Sequence, residues 1–209
     1  MHLVRHGEVF NPERVLYGRL AGFHLSELGV RMAEAAAADL SRRGRTVSRI
    51  ISSPLERTRE SAEPVSAVFS LPVHIDERLI EPANHFEGTR LRGPGGALRD
   101  ARNWRALTNP ILPSWGEPFR LIMLRMMAAI SDAHRSVDGG DVVLVSHQLP
   151  IWMVHRSLAG LRGAHDPRRR RCELSSITTI TWEGHRFSET GYTVPAAGLQ
   201  AEALDVGAV

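Results

Sequence analysis

Three places in the chain set histidine or arginine just beyond an apolar run. Arg5-His6-Gly7-Glu8 follows Leu3-Val4, Arg57 follows the run from Val47 to Ile51 across Ser53-Pro54-Leu55-Glu56, and Ser146-His147-Gln148 follows Val142 to Val145. Two imidazoles and two guanidinium groups brought together make a pocket for a tetrahedral dianion. A neutral imidazole is a competent nucleophile near pH 7, and arginine offers a planar fork of donors that matches phosphate oxygens. Other chemistries fit less well. No His-x-His or His-Glu-x-x-His spacing suggests a metal, and Ser146 lacks the Gly-x-Ser-x-Gly frame of a nucleophile elbow. The single cysteine, Cys172, excludes a disulfide framework and a cysteine-rich zinc module. All 26 basic residues are arginine, which excludes lysine Schiff-base chemistry and a lysine-bearing phosphate loop. The same bias follows from a GC-rich genome, so composition permits an anionic ligand without demonstrating one.

These residues need elements to hold them. Leu3-Val4 with Arg5 predicts a short strand. Ser26 predicts the N-cap of a helix with Leu28, Met32, Ala36 and Leu40 at fourfold spacing, stopped by Gly44. Val47 to Ile51 reads as the next strand. Ser53-Pro54-Leu55-Glu56 combines a cap, a proline at the first helical position and a glutamate closing a capping box, and predicts a helix to about Phe69. Val73-His74-Ile75 predicts a third strand. A second capping box, Ser114-Trp115-Gly116-Glu117, opens a helix to about Val137. Asp141 to Val145 reads as a buried strand, Pro150 as the start of a helix near Ile151 to Leu158, and Ser176 to Trp182 with Arg186 to Tyr192 as a hairpin around Glu183-Gly184-His185. Between His85 and Pro113 the periodicity gives way to Gly93-Pro94-Gly95-Gly96 and Asn109-Pro110, an insertion.

Strands alternating with helices predict an α/β fold: a three-layer sandwich with a mainly parallel central sheet flanked by helices, carrying an inserted lid segment. The 209 residues divide into one domain over 1–192, with the insertion at about 85–113, and a small apolar tail over 193–209 that is expected to be peripheral. Ligands of such sheets bind beyond the carboxyl ends of the strands, where His6, Arg57 and His147 fall. Gly7 there suits a close backbone approach to a ligand. Helix starts near Ser53 and Pro150 add free N–H groups for an anion. No apolar run approaches the roughly 20 residues of a membrane span, and Met1-His2-Leu3-Val4-Arg5 lacks the layout of a signal peptide. The expectation is a soluble, cytoplasmic chain with no membrane partner. The run Arg168 to Arg171 is expected to be a solvated loop rather than a nucleic-acid site, because no aromatic platform accompanies it. Oligomeric state leaves no sign in the sequence.

At these residues the chain resembles the histidine phosphatase superfamily, which includes cofactor-dependent phosphoglycerate mutases and many broad phosphatases. Leu3-Val4-Arg5-His6-Gly7-Glu8 matches the N-terminal signature, and Ser53-Pro54-Leu55-Glu56-Arg57-Thr58-Arg59-Glu60-Ser61-Ala62 the second block. Asp76-Glu77-Arg78-Leu79-Ile80-Glu81 is similar to the segment that delivers the acid carboxylate, and Val145-Ser146-His147 to the final block. The resemblance implies that His6 takes the phosphoryl group, that Arg5, Arg57 and His147 hold its oxygens, and that Glu81 protonates the leaving oxygen and then activates water. It places Asn11, Gly18 and Gln148 among the substrate- and phosphate-binding residues, and it implies no metal and no cofactor. The chain departs from the family pattern in three ways. Asn11 lies one residue nearer His6, only Phe86-Glu87-Gly88 survives of the usual rim after the acid, and Gln148 replaces a common glycine. Glu8 competes with Glu81 for the acid role, and Glu81 is favoured because the residue at the position of Glu8 is usually structural in relatives.

The function expected is metal-independent hydrolysis of a small phosphorylated substrate through a phosphohistidine. Phosphoglycerate mutase-type transfer is the alternative; mutases of this family carry a lysine-bearing substrate segment, and this chain has no lysine. A non-catalytic phospho-ligand binder or a nucleic-acid-associated protein is disfavoured by the intact residue set and by the lack of aromatics near Arg168. Beyond Gly88 the insertion carries Arg90, Arg92, Arg99, Arg102 and Arg105 against Asp100 as its one acid. That imbalance points to an anionic ligand extending past the phosphate, with Trp104 and Trp115 as a candidate apolar wall.

Overall fold

Leu3 and Val4 are both buried and face opposite sides of one sheet, and this alternation sets the layers. The computed structural model describes residues 1–91, 96–97 and 115–205. Strand β1 spans His2–Arg5, β2 Val47–Ser52, β3 Val73–Ile75, β4 Asp141–Ser146, β5 Ile177–Trp182 and β6 Phe187–Thr193. Helix α1 spans Glu27–Arg42, α2 Glu56–Phe69, α3 Phe119–Arg135 and α4 Gln148–Leu158. The sheet order is β3-β2-β4-β1-β5-β6. The first four strands run parallel, and the β5–β6 hairpin adds an antiparallel edge. The expected three-layer α/β sandwich with a mainly parallel sheet is therefore present.

Parallel strands covered on both faces are apolar at successive positions. Val142 and Leu144 of β4 pack with Leu3 and Ile51 against Ile122, Met126 and Ile130 of α3 and Trp152 and Met153 of α4. Val143 and Val145, with Val4 and Ile50, pack against Ala36, Ala37 and Leu40 of α1 and Ala62 and Val65 of α2. Helix α1 starts as its sequence predicts: the Ser26 hydroxyl accepts from the Gly29 N–H at 2.9 Å.

Two glycines fit this frame tightly. A Cβ on Gly7 would stand 2.3 Å from the Gly29 carbonyl oxygen, and one on Gly29 would stand 2.0 Å from the Glu8 carbonyl oxygen. The close approach at Gly7 is thus to the first turn of α1, where a ligand had been the expected neighbour. Gly7→Ala is expected to destabilise the protein, because the clash is with backbone; overpacking typically costs about 1–3 kcal/mol. For a chain of this size Tm falls by roughly 2–4 °C per kcal/mol, which a thermal melt resolves.

Several boundaries differ from expectation. The box at Ser53 does not form: α2 begins at Glu56 after Leu55, and no side chain caps it. Helix α3 begins at Phe119 after Pro118, again without a side-chain cap, while Glu117 pairs with Arg125; Ser114 lies outside the described residues. Helix α4 starts at Gln148, two residues before Pro150, with His147 at the cap position. Proline in a first turn removes no helical hydrogen bond, so it marks the region but not the first residue. The tail is largely exposed over its described length but is pinned in the core at one point. Ala196 is buried with Met32 and Leu174, and Leu199 and Ala203 pack beside them. Of the insertion's arginines only Arg90 is described, and it donates to the Glu13 carbonyl. Arg92, Arg99, Arg102, Arg105, Asp100 and Trp104, and with them most of the expected lid, lie outside the described residues. Among the described residues no helix is long and apolar enough to cross a membrane.

Candidate active site

The carboxyl ends of three neighbouring strands build the site. Arg5 pairs in register with Ser146, and Ser52 with Val145. Backbone bonds continue the pairing beyond the strands: the His6 N–H donates to the Ser146 carbonyl at 3.1 Å and the Ser53 N–H to the Val145 carbonyl at 3.0 Å. The loops that follow β1, β2 and β4 therefore leave the sheet side by side. Arg5, His6, Arg57, Glu81 and His147 are all buried there. The structure brings together the five residues expected to be catalytic.

The His6 and His147 rings meet edge to face with centroids 5.2 Å apart. His6 Nδ1 lies 2.7 Å from the Gly7 carbonyl oxygen. A carbonyl can only accept, so this contact assigns the proton to Nδ1 and leaves the Nε2 lone pair unprotonated. Burial, and then the charges of Arg57 and Arg5, hold the His6 pKa well below the usual histidine value. His147 is lowered for the same first reason, with Arg57 the next cause. Both rings are neutral at pH 7.

Arg57 stacks 4.7 Å above the Tyr17 ring, and its Nη2 donates to the Gly18 carbonyl at 2.6 Å. Its Nε and Nη1, and the Nε of Arg5, are buried N–H groups with no hydrogen-bond partner among the described residues. Buried donors of this kind are costly unless an acceptor meets them, and three on two guanidinium groups beside His6 suit an oxyanion. Among the described residues, no group of three or more His, Cys, Asp or Glu side chains stands where it would hold a metal ion.

Glu81 follows a 3₁₀ turn, Glu77–Leu79, that is capped by Asp76. Buried Leu79 anchors that turn in the core, and the Ser146 hydroxyl donates to its carbonyl at 2.7 Å. Arg19 Nε donates to the Glu81 carbonyl at 2.6 Å. One Glu81 oxygen lies 3.6 Å from His147 Nδ1, beyond hydrogen-bond distance. Burial pushes the Glu81 carboxyl up to about 7, against the opposing pull of Arg57, Arg170, Arg5 and Arg125. It can therefore carry a proton or release one near neutrality. Glu8 is differently placed: its oxygens accept from the Ser26 hydroxyl and, at 2.6 Å, from the Leu204 N–H.

The remaining candidates order the surroundings. Asn11 accepts from the Val15 N–H and donates to the Val15 carbonyl, which uses both ends of its amide within its own loop. Gly18 presents a carbonyl to Arg57. Gln148 accepts from Arg170 Nη1 at 3.4 Å.

Four neighbours of the site had no functional reading in the sequence. Ser53, read as a cap, has its hydroxyl 2.8 Å from His147 Nε2. Tyr17, read as loop punctuation, is the floor under Arg57. Arg170 belongs to the run expected to be solvated. Arg168 is indeed exposed and paired with Asp166, but Arg170 is drawn inward, where its Nε donates to His165 at 2.9 Å and burial lowers its pKa to about 10. Asp205 lies in the tail and binds Arg5. Only Ser53 carried a usable signal, since it lies within the block that resembles the family. Pro82, which follows Glu81, and Arg170, whose charge acts on Glu81, line a cavity of about 150 Å³ together with Trp115, Phe119, Leu149 and Glu117.

Comparison with known proteins extends the likeness from the site to the chain. It is 50% identical over 198 residues to the uncharacterized protein Rv0525 of Mycobacterium tuberculosis, covering 94% of this chain and 96% of that one. It is 28% identical over 214 residues to the probable phosphoglycerate mutase GpmB of Photorhabdus laumondii, covering 98% and 97%. The solved structure of mycobacterial glucosyl-3-phosphoglycerate phosphatase Rv2419c with VO3 matches with a TM-score of 0.74 at 26% identity, covering 91% of this chain and 96% of that one. The family model for the histidine phosphatase superfamily (branch 1) matches residues 1–194. A match that runs from the first strand through the last, on the same fold, leaves one assignment: this chain belongs to the histidine phosphatase superfamily, branch 1.

Proposed function

We propose that the protein is a metal-independent phosphomonoester hydrolase that works through a phosphohistidine on His6. The observation that carries this reading is the His6 ring, neutral and protonated at Nδ1, with its other nitrogen free beside the unpartnered N–H groups of Arg57 and Arg5. In the first step the Nε2 lone pair forms a bond to phosphorus while the bond to the ester oxygen breaks. The proton of Glu81 passes to that oxygen and the alcohol leaves. In the second step Glu81 takes a proton from water as its oxygen attacks phosphorus, and the N–P bond breaks to restore the imidazole. Phosphoryl transfer depends mainly on positioning and on fixed positive charge at the equatorial oxygens, the roles given to Arg5, Arg57 and His147. Ser53 orients the His147 ring, and Tyr17 with Gly18 orients Arg57. The alcohol portion of the ester takes the cavity lined by Pro82 and Arg170.

The likeness to a probable phosphoglycerate mutase favours a second reading, transfer of the phosphoryl group to a sugar acid in place of water. One experiment separates the two: turnover of a panel of phosphomonoesters, run beside a phosphoglycerate exchange assay. Hydrolysis is expected to exceed exchange and to survive a chelator unchanged. Exchange without net phosphate release would establish the mutase, and activity lost to chelator and restored by a divalent cation would overturn the metal-independent mechanism.

A further inference from the structure

The C-terminal tail ends its described course on Arg5, a residue of the site. Asp205 Oδ2 accepts from Arg5 Nη1 at 2.8 Å and Oδ1 from Arg5 Nη2 at 2.5 Å, a two-pronged carboxylate–guanidinium pair. Carboxylate and phosphate use the same fork of arginine donors. The two partners differ in setting: the Arg5 side chain is 0% exposed and that of Asp205 is 40% exposed. Arg5 has a separate inner tether, since its Nη1 also donates to the Cys172 carbonyl at 2.6 Å. That tether does not involve Asp205. The tail is only lightly held here. Leu204 donates its N–H to Glu8, two residues beyond His6, while the residue as a whole is 52% exposed. The apolar packing of the tail ends at Ala203.

We propose that Asp205 is an internal ligand of the phosphate site, a carboxylate that occupies the Arg5 fork and is displaced by phosphorylated substrate. The inference rests on the reading of Arg5 as a phosphate ligand. A buried guanidinium is costly without an anion, and the exchange of Asp205 for a phosphoryl group keeps Arg5 paired throughout. Among the described residues, release of Leu204 and Asp205 breaks one backbone hydrogen bond and an ion pair whose carboxylate is 40% exposed, and Leu204 is already largely exposed. That is the character of a segment that opens locally. The apparent affinity for phosphate is then reduced by the fraction of molecules whose fork is free.

Two full-chain variants test this. Asp205→Ala removes the carboxylate; Leu204→Pro keeps it but removes the N–H that docks on Glu8. Asp205→Ala is expected to lower KM for a small phosphomonoester, and the Kd of inorganic phosphate measured by calorimetry, by about tenfold, the factor for a fork free in roughly one molecule in ten. Leu204→Pro should move both in the same direction, and kcat should change little. Glu202→Gln removes a neighbouring charge that pairs with Arg31 and should leave both constants unchanged. A KM that rises or stays constant in Asp205→Ala would overturn the proposal and make Asp205 a positioning group for Arg5; an equal effect of Glu202→Gln would reduce it to general charge. Tighter phosphate binding in a chain that hydrolyses nothing would keep this inference and remove the hydrolase reading. Absence of phosphate binding in every chain would overturn both.

Discussion

His6→Ala is expected to abolish turnover, by at least roughly 10⁴-fold as for removal of other catalytic nucleophiles, while the protein stays folded. The ring is buried, but it faces Gly7, His147 and two guanidinium groups, outside the apolar layers on either side of the sheet. Its loss removes one local hydrogen bond and leaves the packing of α1 to α4 intact. Circular dichroism and a thermal melt establish the fold. The chemical test is a rapid quench of the wild-type enzyme with labelled substrate into alkaline denaturant, in which a phosphorus–nitrogen bond survives. Label is expected on the peptide that contains His6, and it should vanish in the variant. Label on serine or aspartate, or full activity of His6→Ala, would sink the phosphohistidine mechanism.

Glu81→Gln should separate substrates by their leaving groups. An alkoxide needs a proton as it departs, whereas an aryl oxide leaves without full protonation. General acid assistance is typically worth about 10²–10⁴-fold, so alkyl phosphates should slow by that factor and aryl phosphates by much less. The pH dependence follows from the shift. Burial raises the Glu81 carboxyl to about 7, so the acid is charged and unable to donate once pH climbs past that value. Wild-type kcat for alkyl phosphates is therefore expected to fall as pH rises through about 7, and Glu81→Gln should flatten that limb. His6 and His147 lie well below the usual histidine value, so neither adds a titration there. The decisive comparison is Glu8→Gln. Glu8 holds Ser26 and Leu204 and is expected to affect stability more than leaving-group dependence; the reverse pattern would move the acid role to Glu8.

Local pattern in the sequence carries the strands, the helices and the site residues that follow β1, β2 and β4, though not the first residues of α2, α3 and α4. The short apolar runs of β1, β2 and β4 and the fourfold spacing in α1 are written in neighbouring residues, because such patterns act over a few positions. Once those strands are parallel neighbours, Arg5, His6, Arg57 and His147 must converge, since ligands meet such sheets beyond their carboxyl ends. Tertiary structure decided what distant partners compete for. Ser53 is a sound cap by local chemistry, yet His147, 94 positions away, takes its hydroxyl. Arg168 and Arg170 belong to one run, but Arg170 is turned inward toward Gln148 and Glu81 while Arg168 stays in solvent. Asp205 sits in a segment with no periodicity to mark it and meets Arg5 across 200 positions. Such pairings leave no trace in local pattern, because a buried charge is settled by whichever counter-charge the fold carries to it.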